Sequence, residues 1–245
     1  MLSGIGDCTH LERHNIPLVQ NLPGVGENLQ DHVSFGCSWE CREPLAPRNN
    51  GSEATLYWKS RPEMREPDLL FCQVEFPVPS DRTSARGIPA HGWTMFAGLA
   101  RPQSRGRVRL RNADPVSGPV VDARMMAHPH DLEAARACVK LCRELGQANA
   151  LRPFVKREVI PGVGTDADDD FIRDAAVTYW HQCGTARMGV DEMSVVDSDL
   201  SVHGVKGLRV ADGSILPRVT TGNTQAPCAV IGERAAQMVR NEYRL

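Results

Sequence analysis

The chain has 245 residues, 41% of them hydrophobic and 24% charged, with a formal net charge of -2. That length accommodates one large domain or two small ones with a real core. The near-neutral balance gives no electrostatic basis for nucleic acid or an anionic membrane as partner, and no apolar run approaches the ~20 residues that span a bilayer.

In chain order, the first residues (MLSGIGDCTH) lack the basic region and apolar stretch of a secretion signal, so the chain reads as cytoplasmic. Gly4, Gly6, Pro17, Pro23, Gly24 and Gly26 make the opening thirty residues loop-rich. A short helix is expected among them, where Thr9 and Glu12 have capping-box spacing. The middle is rich in strands: the apolar run Leu69–Phe76, the stretch Thr94–Ala100, the alternating Gly106–Arg111, and Val120 with Val121. Several strands without long intervening helices predict an antiparallel sheet.

Asp131–Gly146 is the clearest helix, with Leu132, Ala135, Val139, Cys142 and Leu145 recurring at three- and four-residue spacing after Pro129. Gly162–Asp170 reads as a surface loop leading into a helix with an acidic first turn. Gly207–Pro217 reads as a strand ending at Asp212-Gly213 and then a loop. The last helix is expected over about Pro227–Tyr243, with proline in or near its first turn. The eight cysteines contain no C-x-x-C pair, so they read as small buried hydrophobes, and neither a disulfide framework nor a metal site is expected.

Three segments carry candidate chemistry. Gly4 and Gly6, then Gly24-Val25-Gly26-Glu27-Asn28-Leu29-Gln30-Asp31-His32, permit close backbone approach but also suit an ordinary loop. They do not form the G-x-G-x-x-G turn that cradles a pyrophosphate. His181, followed by Gly184 and Gly189, is either a reactive imidazole or a structural one. Gly207–Pro217 and Thr220–Pro227 feed the last helix, whose amino terminus suits an anion, or is simply capped by Asn223 or Thr224.

Together these segments resemble the glucose–methanol–choline oxidoreductases. The family's segments occur in order: Ser3–Gly6, Gly24–His32, Arg101–Gly106, His181–Gly189, Val195–Asp197 and Gly207–Pro227. The resemblance implies FAD as cofactor and oxidation of the CH–OH group of a small-molecule alcohol by hydride transfer to the flavin. It implies catalytic roles for His181, as the base facing the flavin, and for Asn223, as the partner that hydrogen-bonds the substrate oxygen. It implies cofactor contacts from Asp212, Gly213, Asn223, Thr224, Gln225 and Pro227, and no metal.

By the same resemblance the fold is α+β. An antiparallel-sheet substrate domain with helices (33–189) would sit between two parts of an incomplete FAD-binding α/β domain (1–32 and 190–245). The family's amino-terminal dinucleotide-binding half has no counterpart in these residues, so the chain is expected to be a carboxy-terminal portion that requires that half as partner. Two alternatives stay open: an FAD-containing lyase acting on cyanohydrins without redox change, and a catalytically silent fragment. The identity of the alcohol and of the electron acceptor is not written in the sequence.

Overall fold

The protein is described by a computed structural model covering residues 1–46, 50–166 and 168–244. Its opening elements are β1 (Ile5–Gly6), α1 (Cys8–Arg13), β2 (Gln20–Asn21), β3 (Val33–Cys41) and β4 (Ser52–Trp58). Then come β5 (Leu69–Val74), β6 (Gly92–Leu99), β7 (Arg107–Arg109), β8 (Val120–Asp122) and α2 (Pro129–Gly146). The last are β9 (Val155–Ile160), α3 (Asp169–Ala175), β10 (Val177–Thr178) and α4 (Gln225–Tyr243). The architecture is mixed α+β with an antiparallel main sheet, as expected.

Two compact units share the chain: residues 1–31, 104–124 and 180–245 form one, residues 32–103 and 125–179 the other. The sequence boundaries instead assigned 104–124 and 180–189 to the middle domain. Backbone pairing explains the difference, because Gly106 bridges Leu29 and Cys183 bridges Gln30 inside the first unit.

The second unit is a six-stranded antiparallel sheet in the order β10-β3-β6-β5-β4, with β9 also pairing β3. Strand β3 alternates with period two, so Val33, Phe35, Cys37, Trp39 and Cys41 all point into one core. Ala134, Ala135, Cys138, Val139 and Cys142 of α2 meet them from a single helical face. The opposite face of β3 is polar but still buried. Its Ser34 hydroxyl donates to the Ala97 carbonyl (2.7 Å), and Ser38 bonds Thr94 (2.8 Å), which satisfies groups that would otherwise be costly to desolvate.

Helix α2 starts at Pro129, where the missing N–H costs nothing. Near its end Arg143 pairs with Glu158 of β9 (2.8 Å) and also donates to the carbonyls of Gly162 and Thr165. The expected loop over 162–170 lies here, residue 167 being outside the described residues, and α3 follows with Asp168 as cap and Asp169 and Asp170 in its first turn.

Three local expectations are corrected. Asp7, not Thr9, caps α1, accepting the His10 N–H at 2.8 Å, while the Thr9 hydroxyl donates to the same carboxylate. Residues 207–212 form no strand. They make only an isolated bridge between Ser201 and Arg209, with Gly207 at positive φ, so pairing never extends beyond a turn. Helix α4 begins two residues earlier than expected, placing Pro227 third in the helix.

In the first unit a smaller core of Leu22, Val195, Val196, Leu200, Val202 and Ile215 is flanked by Ile231, Ala235 and Met238 of α4. All eight cysteines are free; Cys37, Cys138 and Cys142 are fully buried in the larger core, as small hydrophobes are. No helix among the described residues is long and apolar enough to cross a membrane.

Gly146 closes α2 against the indole of Trp39, which stacks on Trp93 at 4.3 Å. A methyl at position 146 would overlap the Trp39 ring. Gly146→Ala is therefore expected to destabilise by about 1–3 kcal/mol in denaturant unfolding, despite alanine's better helix propensity. The loss should shrink in a Trp39→Phe background, where the smaller ring leaves room.

Candidate active site

All the candidate site residues belong to the first unit, and one short extended run organises them. Between Asn28 and Asp31 the backbone is bonded along both edges. Leu29 and Gly106 exchange N–H···O bonds at 2.9 and 2.8 Å, and Gln30 and Cys183 exchange them at 3.0 and 2.9 Å. The side chains of the run then reach further. Asn28 Nδ2 donates to the Gly184 carbonyl (3.1 Å), and Gln30 Nε2 donates to the Pro217 carbonyl (3.2 Å). The Val219 N–H donates to Gln30 Oε1 (3.2 Å), so one amide holds both sides of the 217–219 turn. Gln30 is buried, where such an amide must be satisfied to be tolerated.

The end of this run meets His181. The His181 N–H donates to Asp31 Oδ1 (2.9 Å), and Gln182 Nε2 donates to Asp31 Oδ2 (3.0 Å). Trp180, just before, sits in the left-handed region at φ +59°, an uncommon conformation for a bulky residue that surrounding bonds must sustain. His181 itself is only 9% exposed. Burial lowers the pKa of its imidazole below the ordinary value, and the Asp31 charge opposes that shift.

A second ladder ties the histidine segment to the turn that carries Asp212 and Gly213. Gly184, Ala186 and Met188 donate their N–H groups to the carbonyls of Gly213 (3.3 Å), Ser214 (2.9 Å) and Ile215 (2.8 Å). Asp212 is exposed, and its carboxylate caps this turn by accepting the Ser214 N–H at 2.7 Å. Gly213 is buried. A Cβ there would lie 3.2 Å from Cys228 Sγ, 3.7 Å from the Gln182 carbonyl oxygen and 3.9 Å from Cys183 Cβ. The first turn of α4, the His181 segment and the Gly213 turn therefore converge on one point.

Helix α4 opens toward solvent at that end. Asn223 and Gln225 are exposed, Pro227 is partly buried and Thr224 is 8% exposed. Thr224 precedes the helix without a side-chain capping bond, so neither Asn223 nor Thr224 acts as the cap allowed for in the sequence. First-turn N–H groups left without a cap suit an acceptor from outside the chain. An uncapped helix start beside an exposed amide is a donor set that would fit the polar edge of a flat ring such as a flavin. Among the described residues no cluster of histidine, cysteine or acidic side chains is placed to hold a metal.

Sequence reasoning singled out His181, Asp212, Gly213 and Asn223–Pro227 but gave no individual role to Asn28, Gln30, Asp31 or Gln182. The available signal was the run of amide and acid residues in Asn28-Leu29-Gln30-Asp31, polar groups that need partners if buried.

The family profile described as GMC oxidoreductase matches residues 102–232. The chain is 37% identical over 270 residues to an oxygen-dependent choline dehydrogenase of Escherichia coli K12, covering 99% of this chain and 48% of that protein. Among solved structures it is similar to pyridoxine 4-oxidase from Mesorbium loti, with a TM-score of 0.90, 29% identity, and coverage of 98% of this chain and 48% of that one. A fungal aryl-alcohol oxidase shares the fold at a TM-score of 0.78 and 22% identity, over 100% of this chain and 53% of that one. The chain thus spans about half the length of the curated relatives it matches.

Gly184 lies at φ +92°, and a Cβ there would sit 2.5 Å from the Asn28 carbonyl oxygen. Gly184→Ala should cost on the order of 1–3 kcal/mol in thermal or denaturant unfolding, and it should loosen the His181 segment before the rest of the chain. Amide exchange of His181 relative to the core of the second unit reads that order.

Proposed function

Because the chain belongs to the GMC oxidoreductase family, we propose that it forms part of an FAD-dependent enzyme oxidising the CH–OH group of a small-molecule alcohol, with His181 as base. The observation that carries the reading is the convergence of the segment bearing the buried His181 with the first turn of α4 at Gly213, next to a helix start left without a side-chain cap. The named relatives, a choline dehydrogenase, a pyridoxine oxidase and an aryl-alcohol oxidase, support an alcohol-type substrate.

FAD, when bound, supplies the hydride acceptor. The chain's residues supply the rest. An alcohol donates hydride poorly while its hydroxyl proton remains, so a base must take that proton as the carbonyl forms. His181 suits this task because burial keeps its imidazole neutral to lower pH than an ordinary histidine, leaving it able to accept. Asn223 offers an exposed amide to the substrate oxygen, adding a donor that does not titrate. The N–H groups opening α4, with Thr224, Gln225 and the turn before Pro227, carry fixed partial positive charge and would hold the polar edge of the flavin. Asp212 and Gly213 would lie along the neighbouring part of the cofactor.

We further propose that the adenosine and pyrophosphate portion of FAD is held by a segment bearing the G-x-G-x-x-G turn, which these residues do not contain. The second unit is proposed as the substrate-binding domain, on its antiparallel sheet and the family resemblance. Eight free cysteines support a reducing, cytoplasmic setting.

The test is anaerobic bleaching of flavin absorbance by simple alcohols in FAD-loaded protein. His181→Ala should slow bleaching by about 10²–10⁴-fold, and an unchanged rate removes His181 from the base role. The rate should fall on acidification as His181 gains its proton, with the midpoint below the usual imidazole value of about 6.5 because burial disfavours the charged form. A flavin that stays oxidised while a cyanohydrin is cleaved would move the reading to a lyase.

A further inference from the structure

The His181 segment needs something to hold it. Trp180 is kept in the left-handed region, Gln182 is exposed, and Gly184 is at positive φ, so the local sequence has little intrinsic preference for this path. The Gln30–Cys183 bridge fixes the chain on the carboxy-terminal side of the histidine. On the histidine itself an anchor is the Asp31 carboxylate, which is 8% exposed and accepts the His181 N–H and the Gln182 side chain with its two separate oxygens.

We propose that Asp31 is a positioning residue: its carboxylate clamps the backbone of His181 and the side chain of Gln182, and so sets the direction in which the imidazole is presented. The functional meaning rests on His181 being the base, whereas the clamp rests on geometry alone. Hydrogen bonds to an ionised, buried acceptor are the stronger kind, so this pair outweighs neutral bonds of similar length. A carboxylate is better suited than an amide here, because both incoming groups are donors and Asp31 offers acceptors only.

The same charge faces the imidazole and favours its protonated form, opposing the effect of burial. Arg105 and the thiols of Cys183 and Cys228 also lie in this neighbourhood. Cys183 is pushed up to about 12, first by burial and then by Asp31, and so stays neutral.

Two variants separate charge from geometry. Asp31→Asn keeps an oxygen for the His181 N–H, and the Gln182 amide can turn over to accept from the new NH2 group. Asp31→Ala removes both acceptors. The readout is NMR of the isotope-labelled full chain, with the His181 ring signal identified by its loss in His181→Gln.

In Asp31→Asn the His181 ring titration should move to lower pH while its backbone amide stays protected. In Asp31→Ala that amide should exchange roughly 10- to 150-fold faster, the equivalent of losing one bond to a charged group. An unmoved ring titration in Asp31→Asn, or unchanged amide exchange in Asp31→Ala, overturns the proposal. Should Asp31→Ala fail to fold, His181 amide exchange in the near-isosteric Asp31→Leu, which also lacks both acceptors, decides in its place. Flavin bleaching by His181→Gln is scored separately. Full-rate bleaching there removes the base assignment and leaves the clamp standing, whereas lost bleaching with unmoved Asp31 variants removes the clamp only.

Discussion

The first unit depends on the paired run from Asn28 to Asp31. Its backbone bonds Gly106 on one edge and Cys183 on the other, while its Asn28, Gln30 and Asp31 side chains bond Gly184, Pro217, Val219 and His181. Segments distant in sequence are thereby stitched together by polar contacts, with only a small apolar core beneath them. Buried amides and carboxylates are costly unless every partner is in place, so such a network selects one arrangement over its neighbours. Precise orientation of His181, the proposed base, calls for that selectivity.

The second unit is built on the opposite principle. Its stability comes from the alternating face of β3 meeting one face of α2, with Trp39 packed against Gly146 and stacked on Trp93. Polar groups on the other face, such as Ser34, Ser38 and Thr94, are satisfied within the sheet. A sheet formed this way is rigid through dispersion and burial, and it tolerates little change in volume at the Gly146 contact. The two units thus divide the labour, one relying on apolar packing and the other on polar registration.

On the proposed reading, catalytic character in the first unit arises from placing unlike groups under one geometric constraint. Burial lowers the His181 pKa and Asp31 opposes that shift, while the uncapped start of α4 contributes positive potential that needs no reorganisation. Gly213 keeps the floor of this region free of a side chain that would press on Cys228. On that reading none of these groups performs the redox step, which would be the cofactor's, and their contribution would be proton acceptance, orientation and field, the part of flavin chemistry that a polypeptide can supply.

Much of this was legible in the sequence. The 3.6-residue pattern located α2, alternation located β7 and parts of β5 and β6, and the ordered glycine, histidine and asparagine segments identified the family. Those features are local or motif-based, carried by residues close together in the chain. Some local features were missed too: β3, β4 and β9 went unread and the strand expected over 207–212 does not form, but most of the missing pieces were long-range. Nothing near Asp31 in sequence says that its carboxylate meets residue 181, and nothing near Gly106 says that its hairpin belongs beside Leu29. The choice of Asp7 over Thr9 as the cap of α1 was equally undetermined, since both side chains can reach a backbone N–H and only their final dihedrals decide. Periodicity and motif therefore determined the elements and the family chemistry, whereas hydrogen-bond partners separated by 150 residues or more, and the units they define, were decided only by tertiary structure, because a polar group in the sequence records its need for a partner but not which partner it finds.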